Sequence, residues 1–231
     1  MYRQLFDPAS STYSYLIDDA GHAVLIDPVR EQAERDIKLL KELGLTLDWV
    51  IETHVHADHI SAGGWLREAL GCRVAVAAGA PVPCADRELA DEEVLSVGQH
   101  RLTVLSTPGH TAQHIAILLD DLAVFTGDCL LIRGCGRTDF QGGDAGAQYD
   151  SLQRLLALPE TTLVCPGHDY RGHAVSTIAE ERRHNPRLAG QTRDGFITLM
   201  AGLKLPEPRL IHEAVPANLR CGRSQGEAAL P

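Results

Sequence analysis

The 231-residue chain is 44% hydrophobic and 23% charged, a balance that predicts a soluble globular protein with a sizeable core. Its formal net charge of −10 and the lack of a Lys/Arg-rich run argue against binding to nucleic acid or to an anionic membrane surface. No apolar stretch approaches the roughly 20 residues that a membrane helix needs, and the N-terminus lacks the pattern of a secretory signal peptide.

The first part of the chain predicts a β-hairpin followed by a helix. Residues 12–17 and 23–27 are apolar runs on either side of the turn at residues 18–21. Residues 31–43 then have the apolar spacing of a helix, and Gly44 follows as its C-terminal stop. The sequence therefore predicts two paired strands and a helix within the first 44 residues.

The rest of the chain alternates apolar runs with helical patterns and contains no internal repeat. Further strands are predicted at residues 47–52, 73–77, 101–105, 114–119, 122–125 and 162–165, and helices at 65–70, at 149–158 and over most of 177–203, with irregular chain beyond. Strands in both halves with helices between them predict one α+β domain, residues 1–231, in which helices cover a sandwich of two sheets. Residues 224–231 are predicted to form a disordered tail.

The six cysteines are scattered and form no CxxC pair. Without an export signal, they are predicted to be reduced thiols in a cytosol-like compartment. The sequence thus favours a cytoplasmic location, and a mitochondrial one stays open if a transit peptide was removed.

A cluster of metal-binding residue types follows the strand at residues 47–52. His54, His56, Asp58 and His59 place three imidazoles and one carboxylate within six residues. Imidazole and carboxylate are ligands for divalent metals such as zinc and iron. Four such donors in one short loop predict a metal site, whereas any one of these histidines alone would be more typical of an ordinary surface or core residue.

Three more candidates each follow an apolar run and a glycine. His110 follows Thr-Pro-Gly, Asp128 follows Thr-Gly, and His168 follows Pro-Gly. Glycine allows the tight backbone that aims a side chain into a cleft, and loops at strand ends commonly carry functional groups. The residues alone therefore offer seven possible ligands from four strand ends, without deciding how many of them bind metal.

These motifs, in this order over residues 54–168, resemble the metallo-β-lactamase superfamily. The resemblance implies a four-layer αββα sandwich with the metal cleft along one edge of the two sheets. In the dinuclear members, one metal would be held by His54, His56 and His110 and the other by Asp58, His59 and His168, with Asp128 as the bridge. Such a site activates water for hydrolysis, as in glyoxalase II thioesterases.

A narrower resemblance covers nearly the whole chain. The segments LLIRGCGRTDF (130–140), HDYRG (168–172), STIAEERRHNPRL (176–188) and AVPANLRCG (214–222) are similar to the persulfide dioxygenases of the ethylmalonic encephalopathy protein family. Only about sixty residues follow His168, so the longer C-terminal helical domain of glyoxalase II is short or absent. Both features favour the dioxygenase over the thioesterase.

This family resemblance implies one Fe(II) per chain, held by His54, His110 and Asp128, with open positions for dioxygen and substrate. The remaining donors, His56, Asp58, His59 and His168, would orient the ligands and hydrogen-bond water around them. The implied reaction belongs to sulfide metabolism, the oxidation of glutathione persulfide by O₂ to sulfite and glutathione.

Two alternatives to a dioxygenase remain at this level. One is a dinuclear zinc thioester hydrolase like glyoxalase II, and the other is a sulfur-carrier or regulatory module that binds metal without turnover. The resemblance leaves open whether the persulfide carrier is glutathione, coenzyme A or another thiol. It also leaves open a homodimer, and a separate sulfurtransferase as the source of persulfide.

Several residues near the predicted metal site are candidates for substrate contact. Arg137 and Asp139 could bind the glutathione end of the substrate, since a guanidinium pairs well with a carboxylate, or they could form an ion pair that shapes their loop. Tyr170 is predicted to contact substrate. Cys135 could accept persulfide sulfur, although a small loop residue is the simpler interpretation.

Overall fold

The computed structural model describes residues 1–223 and divides them into two compact units. The first comprises Met1–Leu89, Ser96–His100 and the chain from Glu207 onwards, and the second comprises Ala90–Leu95 and Arg101–Pro206. Each unit contains its own cluster of buried apolar side chains. The prediction of one domain over residues 1–231 stays a prediction, and the predicted tail at 224–231 lies outside the described residues.

A six-stranded mixed sheet forms the first unit. Its strands, in spatial order, are β1 (Tyr2–Asp7), β2 (Thr12–Asp19), β3 (His22–Ile26), β4 (Thr46–Ile51), β5 (Arg73–Ala77) and β6 (Arg87–Leu89). Strands β1 to β3 pair antiparallel, and β3 to β6 pair parallel. The predicted hairpin is therefore confirmed as β2 and β3, with Tyr15 opposite Ile26.

Two helices of the first unit connect its parallel strands: α1 (Ala33–Leu43), which follows a short 3₁₀ turn, and α2 (Gly63–Leu70). A third helix, α6 (Ile211–Asn218), lies near the C-terminus. Gly44 ends α1 in the left-handed conformation at φ 65°, as the sequence predicts for a C-terminal glycine stop. The loop between β4 and α2 carries the predicted metal-binding cluster, and it begins where a buried parallel strand ends.

The second sheet has the spatial order β12-β11-β10-β9-β8-β7. Its strands are β7 (Val94–Val97), β8 (His100–Ser106), β9 (Ile115–Leu119), β10 (Ala123–Gly127), β11 (Leu163–Pro166) and β12 (Ser176–Thr177). The parallel pair β10 and β11 lies at its centre, and both strands end in loops that carry predicted ligands. The register places Phe125 opposite Cys165, so Asp128 and His168 leave the sheet at the same edge.

Three helices accompany the second sheet: α3 (Ala145–Leu156), α4 (Ile178–His184) and α5 (Arg193–Ala201). Helix α3 begins four residues before the predicted start because the Asp144 side chain caps it by accepting from the backbone N–H of Ala147. None of the described helices is long and apolar enough to span a bilayer.

The C-terminal region departs from its prediction as irregular chain. Helix α6 forms there although Pro216 lies inside it, a residue that normally argues against a helix. Strands β1, β6, β7 and β12 were also not predicted, since each is short or lacks a clear alternation of apolar and polar residues.

The cysteines also differ from the prediction that all are reduced. Cys84 and Cys221, 137 residues apart in the chain, form a disulfide with a Cα–Cα distance of 6.1 Å. The prediction is therefore wrong for this pair, because sequence spacing does not reveal which distant segments meet. The other cysteines, Cys72, Cys129, Cys135 and Cys165, are buried free thiols.

Candidate metal centre

In the first unit, the loop after β4 holds four of the predicted metal-binding residues close together. His54, His56 and His59 are buried, and Asp58 is half-buried. The His54 and His56 ring centroids are 4.2 Å apart, and those of His56 and His59 are 4.3 Å apart. The loop thus gathers its imidazoles into one buried group, as the sequence cluster predicts.

His54 is oriented by a chain of hydrogen bonds that begins at Asp27, at the end of β3. Asp27 accepts from the backbone N–H of Thr53 at 2.7 Å and from the Thr53 hydroxyl at 2.8 Å. Because the hydroxyl has only one proton, its oxygen must accept from His54 Nδ1, 2.9 Å away. This fixes the lone pair on His54 Nε2, the tautomer that a metal ligand requires.

His56 has a different environment, between two buried carboxylates. Its Nε2 lies 3.1 Å from Asp27 Oδ1 and 3.4 Å from Glu52 Oε2. Burial by itself lowers the pKa of His56, but the two carboxylates outweigh it and raise that pKa well above its usual value. His56 Nε2 therefore faces two carboxylates in this structure.

Asp58 and His59 form a pair at the outer part of the same loop. His59 Nδ1 donates to Asp58 Oδ2 at 2.8 Å, and the Thr12 hydroxyl lies 3.4 Å from both side chains. The other ring nitrogen, His59 Nε2, is buried and has no hydrogen-bond partner among the described residues. Asp58 therefore sets the tautomer of His59 and leaves Nε2 as an acceptor.

In the second unit, His110 is held by the loop that follows Asp128. Its Nδ1 donates to the backbone carbonyl of Arg137 at 2.7 Å, which leaves the lone pair on Nε2. Gly109 precedes it at φ 139°, where a Cβ would collide with the main chain of Gln148. Glycine is therefore required at this position, directly before His110.

Asp128 lies next to His110, with Oδ2 at 3.6 Å from His110 Nε2. Its other oxygen, Oδ1, accepts from His168 Nδ1 at 2.6 Å. Its backbone N–H donates to His114 Nε2 at 3.2 Å, and His114 in turn donates from Nδ1 to the Thr107 hydroxyl. The sequence motifs do not single out His114, because it lacks the glycine-preceded strand end of the candidate ligands.

The second unit therefore brings three of the predicted residues together: His110, Asp128 and His168. Tyr170, two residues further, stacks on His168 with a centroid distance of 5.9 Å and an interplanar angle of 10°. Its side chain is 72% exposed, so it is available for contact with a substrate.

Arg137 and Asp139 form an ion pair with two hydrogen bonds, 2.6 and 2.7 Å long. The Arg137 guanidinium also donates to the carbonyls of Leu205 and Pro206 and lies over the ring of Phe140. Of the two alternatives for this pair, the structure forms the ion pair that shapes the loop. Arg137 and Asp139 also line a cavity of about 380 Å³, so their contact with substrate stays a prediction.

Cys135 is buried beside Met200 and Arg187. Burial raises the pKa of its thiol, and the nearby Arg187 only partly offsets this. A thiol that keeps its proton is a poor acceptor of persulfide sulfur, which supports the simpler interpretation of Cys135 as a small packed residue.

The residues of both units fit a divalent metal. Two ligand atoms that share a metal at about 2.1 Å lie roughly 3–3.5 Å apart, close to the spacing of His110 Nε2 and Asp128 Oδ2. Hydrogen bonds to Nδ1 set both His54 and His110 in the tautomer that leaves Nε2 for a metal. The carboxylate and imidazole donor set suits iron or zinc.

Comparison with known proteins gives one family. The profile of the metallo-beta-lactamase superfamily matches residues 7–168. The chain is 46% identical over 229 residues to the human protein named persulfide dioxygenase ETHE1, mitochondrial, which covers 96% of this chain and 89% of the human one. A crystal structure of ETHE1 from Myxococcus xanthus has 54% identity and a TM-score of 0.94, and covers 96% of this chain and all of that one. A hydroxyacylglutathione hydrolase from Cereibacter sphaeroides is 40% identical over 182 residues, 78% of this chain and 71% of that one.

Proposed function

Since this chain belongs to the metallo-β-lactamase superfamily and to its persulfide dioxygenases, we propose that it oxidises glutathione persulfide with O₂ to sulfite and glutathione. The observation that carries this proposal is the identity of 46% to a persulfide dioxygenase over almost the entire chain. The likeness to the hydrolase covers a smaller share of both chains. The same matches confirm the predicted αββα fold.

The proposed cofactor is one Fe(II) per chain, with His54, His110 and Asp128 as its ligands. Ferrous iron with two imidazoles and one carboxylate supplies open positions for dioxygen and for the persulfide sulfur. The hydrogen bonds of His54 to Thr53 and of His110 to the Arg137 carbonyl support these two as ligands. The identity of the metal is part of the proposal.

The proposed reaction balances as persulfide plus O₂ plus water giving thiol, sulfite and two protons. Both atoms of O₂ and the oxygen of water end on the outer sulfur, and the sulfur–sulfur bond breaks to release the thiol. The protein holds the ligands in position, so that little rearrangement is needed during the reaction. His168 and His114 hold Asp128 from opposite ends, at its carboxylate and at its backbone.

His56, Asp58, His59 and His168 are proposed to surround the ligands without binding iron. For His168, the support is its hydrogen bond to Asp128, which uses Nδ1 and one carboxylate oxygen. Arg137, Asp139 and Tyr170 are proposed to contact the carrier part of the substrate. Tyr170 is supported by its exposure beside His168, and Arg137 and Asp139 by the cavity they line.

Location and partners remain predictions. The human relative is named as mitochondrial, whereas the composition of this chain is also typical of a cytoplasmic protein, and we propose the cytoplasm. A homodimer and a separate sulfurtransferase that supplies persulfide are carried forward from the sequence as proposals.

The test is metal analysis of protein purified without added metal, together with oxygen uptake and sulfite formation on adding glutathione persulfide. We expect about one iron per chain, with one sulfite formed per O₂ consumed. Asp128→Ala is the matched control and should give neither iron nor oxygen uptake. Two zinc ions per chain, no oxygen uptake and rapid hydrolysis of a glutathione thioester would contradict the proposal and favour the hydrolase. Comparing glutathione persulfide with coenzyme A persulfide then identifies the carrier.

A further inference from the structure

The chain just after α6 contacts the loop that carries His54, His56 and His59. We refer to residues 53–61 as the metal loop and to residues 217–222 as the C-terminal brace. Both belong to the first unit, although about 160 residues separate them in the chain. Their contacts involve backbone groups of the metal loop and one buried side chain of the brace, Asn218, which is 6% exposed.

Asn218 uses its whole carboxamide on the metal loop. Its Oδ1 accepts from the backbone N–H of Ser61 at 2.8 Å. Both protons of Nδ2 are donated, one to the carbonyl of His56 and one to the carbonyl of His59, each at 2.9 Å. The Asn218 side chain therefore binds the backbone of the metal loop at three points between residues 56 and 61.

These three backbone groups are buried in an irregular segment, where no strand ladder can satisfy them. Other parts of the loop are held by backbone bonds to residues 28–30, from the Arg30 N–H to Ile60 and from Ala62 to the Pro28 carbonyl. Without Asn218, the carbonyls of His56 and His59 would lose the partner that the structure gives them. The peptide units of two imidazole-bearing residues would then be less restrained.

Close backbone approach fixes the brace against the loop and the start of α2. The Gly64 N–H donates to the Cys221 carbonyl at 2.7 Å. Gly222 has φ 79° and lies so close to the Ser61 carbonyl that a Cβ would collide with it. A side chain at Gly222 of the brace or at Gly64 of α2 would prevent this close approach.

The Cys84–Cys221 disulfide attaches the brace covalently to the loop after β5. Cys84 is itself held at its carbonyl by Arg67 of α2, at 2.7 Å. Both ends of the bridge are thus fixed to elements that flank the metal loop. A covalent link of this kind restricts how far the brace can move away from the loop.

We propose that Asn218 is a positioning residue for the metal site, which keeps the metal loop in its ligand-bearing conformation, and that the Cys84–Cys221 disulfide keeps Asn218 in place. Asn218 touches no reacting atom and acts through the backbone of His56 and His59. The inference rests on the proposed metal site at His54, and it does not depend on which reaction the metal supports.

The experiment measures metal affinity directly, by titrating metal-free protein with Co(II) and following its absorption. Asn218→Ala should weaken Co(II) binding by about 10–100-fold, the range typical of groups that orient metal ligands. Asn218→Asp keeps one acceptor but sets a carboxylate against two carbonyls, so it should weaken binding at least as much. Hydrogen exchange of residues 54–61 should become faster in both variants.

A control variant in the same unit distinguishes a general loss of stability from a specific loss of metal affinity. Leu40→Ala truncates a buried side chain of α1, and it should lower the unfolding temperature while Co(II) affinity stays at the wild-type value. In the iron-loaded enzyme, Asn218→Ala should lower kcat more than it changes KM for the persulfide. A positioning role is overturned if Asn218→Ala binds Co(II) like wild type and the loop exchanges at the wild-type rate.

The disulfide is tested with Cys84→Ser and by reducing wild type with a dithiol, which converts Cys84 and Cys221 to thiols while it is itself oxidised to a cyclic disulfide. Cys84→Ser and reduction should each weaken Co(II) binding, as Asn218→Ala does. The Co(II) affinities after the two treatments should be similar. Cys72→Ala, which removes a buried free thiol of the same unit, should leave the response to the dithiol unchanged. Unchanged affinity after reduction would overturn the role of the disulfide. If wild type binds metal but does not oxidise persulfide while the Asn218 effect persists, the proposed reaction is wrong and the positioning role stands.

Discussion

His168 donates its Nδ1 proton to Oδ1 of Asp128 across 2.6 Å, while the other carboxylate oxygen lies 3.6 Å from His110 Nε2. The two oxygens of the Asp128 carboxylate thus have different neighbours. One faces a prospective metal ligand, and the other is held by a neighbouring imidazole.

Asp128→Ala is expected to abolish metal binding while the fold survives, because the carboxylate lies at the end of β10 and is half-buried instead of in the core. His168→Gln should retain the metal but bind it about 10–100-fold more weakly, since it orients the ligand without being one. Metal analysis after dialysis, with circular dichroism as the check on folding, distinguishes the two. Complete metal loss in His168→Gln would indicate that His168 is itself a ligand.

His56→Ala should keep about one metal per chain, because His56 is held between the carboxylates of Asp27 and Glu52. Removing the imidazole takes away the group that lies between those two buried carboxylates, so the free energy of unfolding should fall by about 3–5 kcal/mol. Metal content is therefore measured at low temperature, where the variant stays folded. Release of all metal from folded His56→Ala would contradict the single-metal arrangement.

Arg137→Ala and Asp139→Asn decide between the two roles of this ion pair. If the cavity beside them binds the substrate carrier, Arg137→Ala should raise KM for glutathione persulfide by about 10-fold, as expected for a lost charged hydrogen bond. A minimal persulfide without carboxylates should show no such change and is the matched control. Equal changes for both substrates would indicate that Arg137 only shapes the loop, through Asp139 and the carbonyls of Leu205 and Pro206.

Tyr170→Phe and Tyr170→Ala test whether substrate contacts the ring or the hydroxyl. The ring stacks on His168, so Tyr170→Phe should preserve the stack, and only Tyr170→Ala should remove it. Because the side chain is exposed, neither change should alter the unfolding temperature by much. We expect KM for the persulfide to rise in Tyr170→Ala, and unchanged steady-state kinetics in both variants would exclude substrate contact.

We expect Cys72 to make the free energy of unfolding fall at alkaline pH. Burial raises the pKa of its thiol from 9.0 to about 11. In the unfolded chain this thiol ionises from about pH 9, so its contribution is fully present below that pH and is lost as the pH rises towards 11. The loss is about 2–3 kcal/mol at roughly 1.4 kcal/mol per pH unit.

Urea unfolding at about pH 8 and about pH 10.5 measures this effect, with Cys72→Ala as the comparison. The wild type should lose more stability between the two pH values than the variant does. An equal loss in both would show that other groups, and not Cys72, cause the alkaline dependence.

The sequence by itself identified seven metal-binding candidates. His54, His56, Asp58, His59, His110, Asp128 and His168 stand in short motifs whose local chemistry is visible without coordinates. It also indicated the elements around them, since hairpin β2–β3, helix α1 and strand β5 follow from the alternation of apolar residues and from the stop at Gly44. Such features are local, and residues within a few positions of one another determine them.

Only the tertiary structure decided which distant groups meet. The bond from Asn218 to the His56 carbonyl, the Cys84–Cys221 disulfide and the contact of His56 with Asp27 join segments that no spacing rule relates. The raised pKa of His56 has the same origin, because it depends mainly on the Asp27 carboxylate, which folding of the sheet brings beside the ring. A pKa and a hydrogen bond are set by through-space distance and burial, which the chain acquires only when its sheets and loops have assembled.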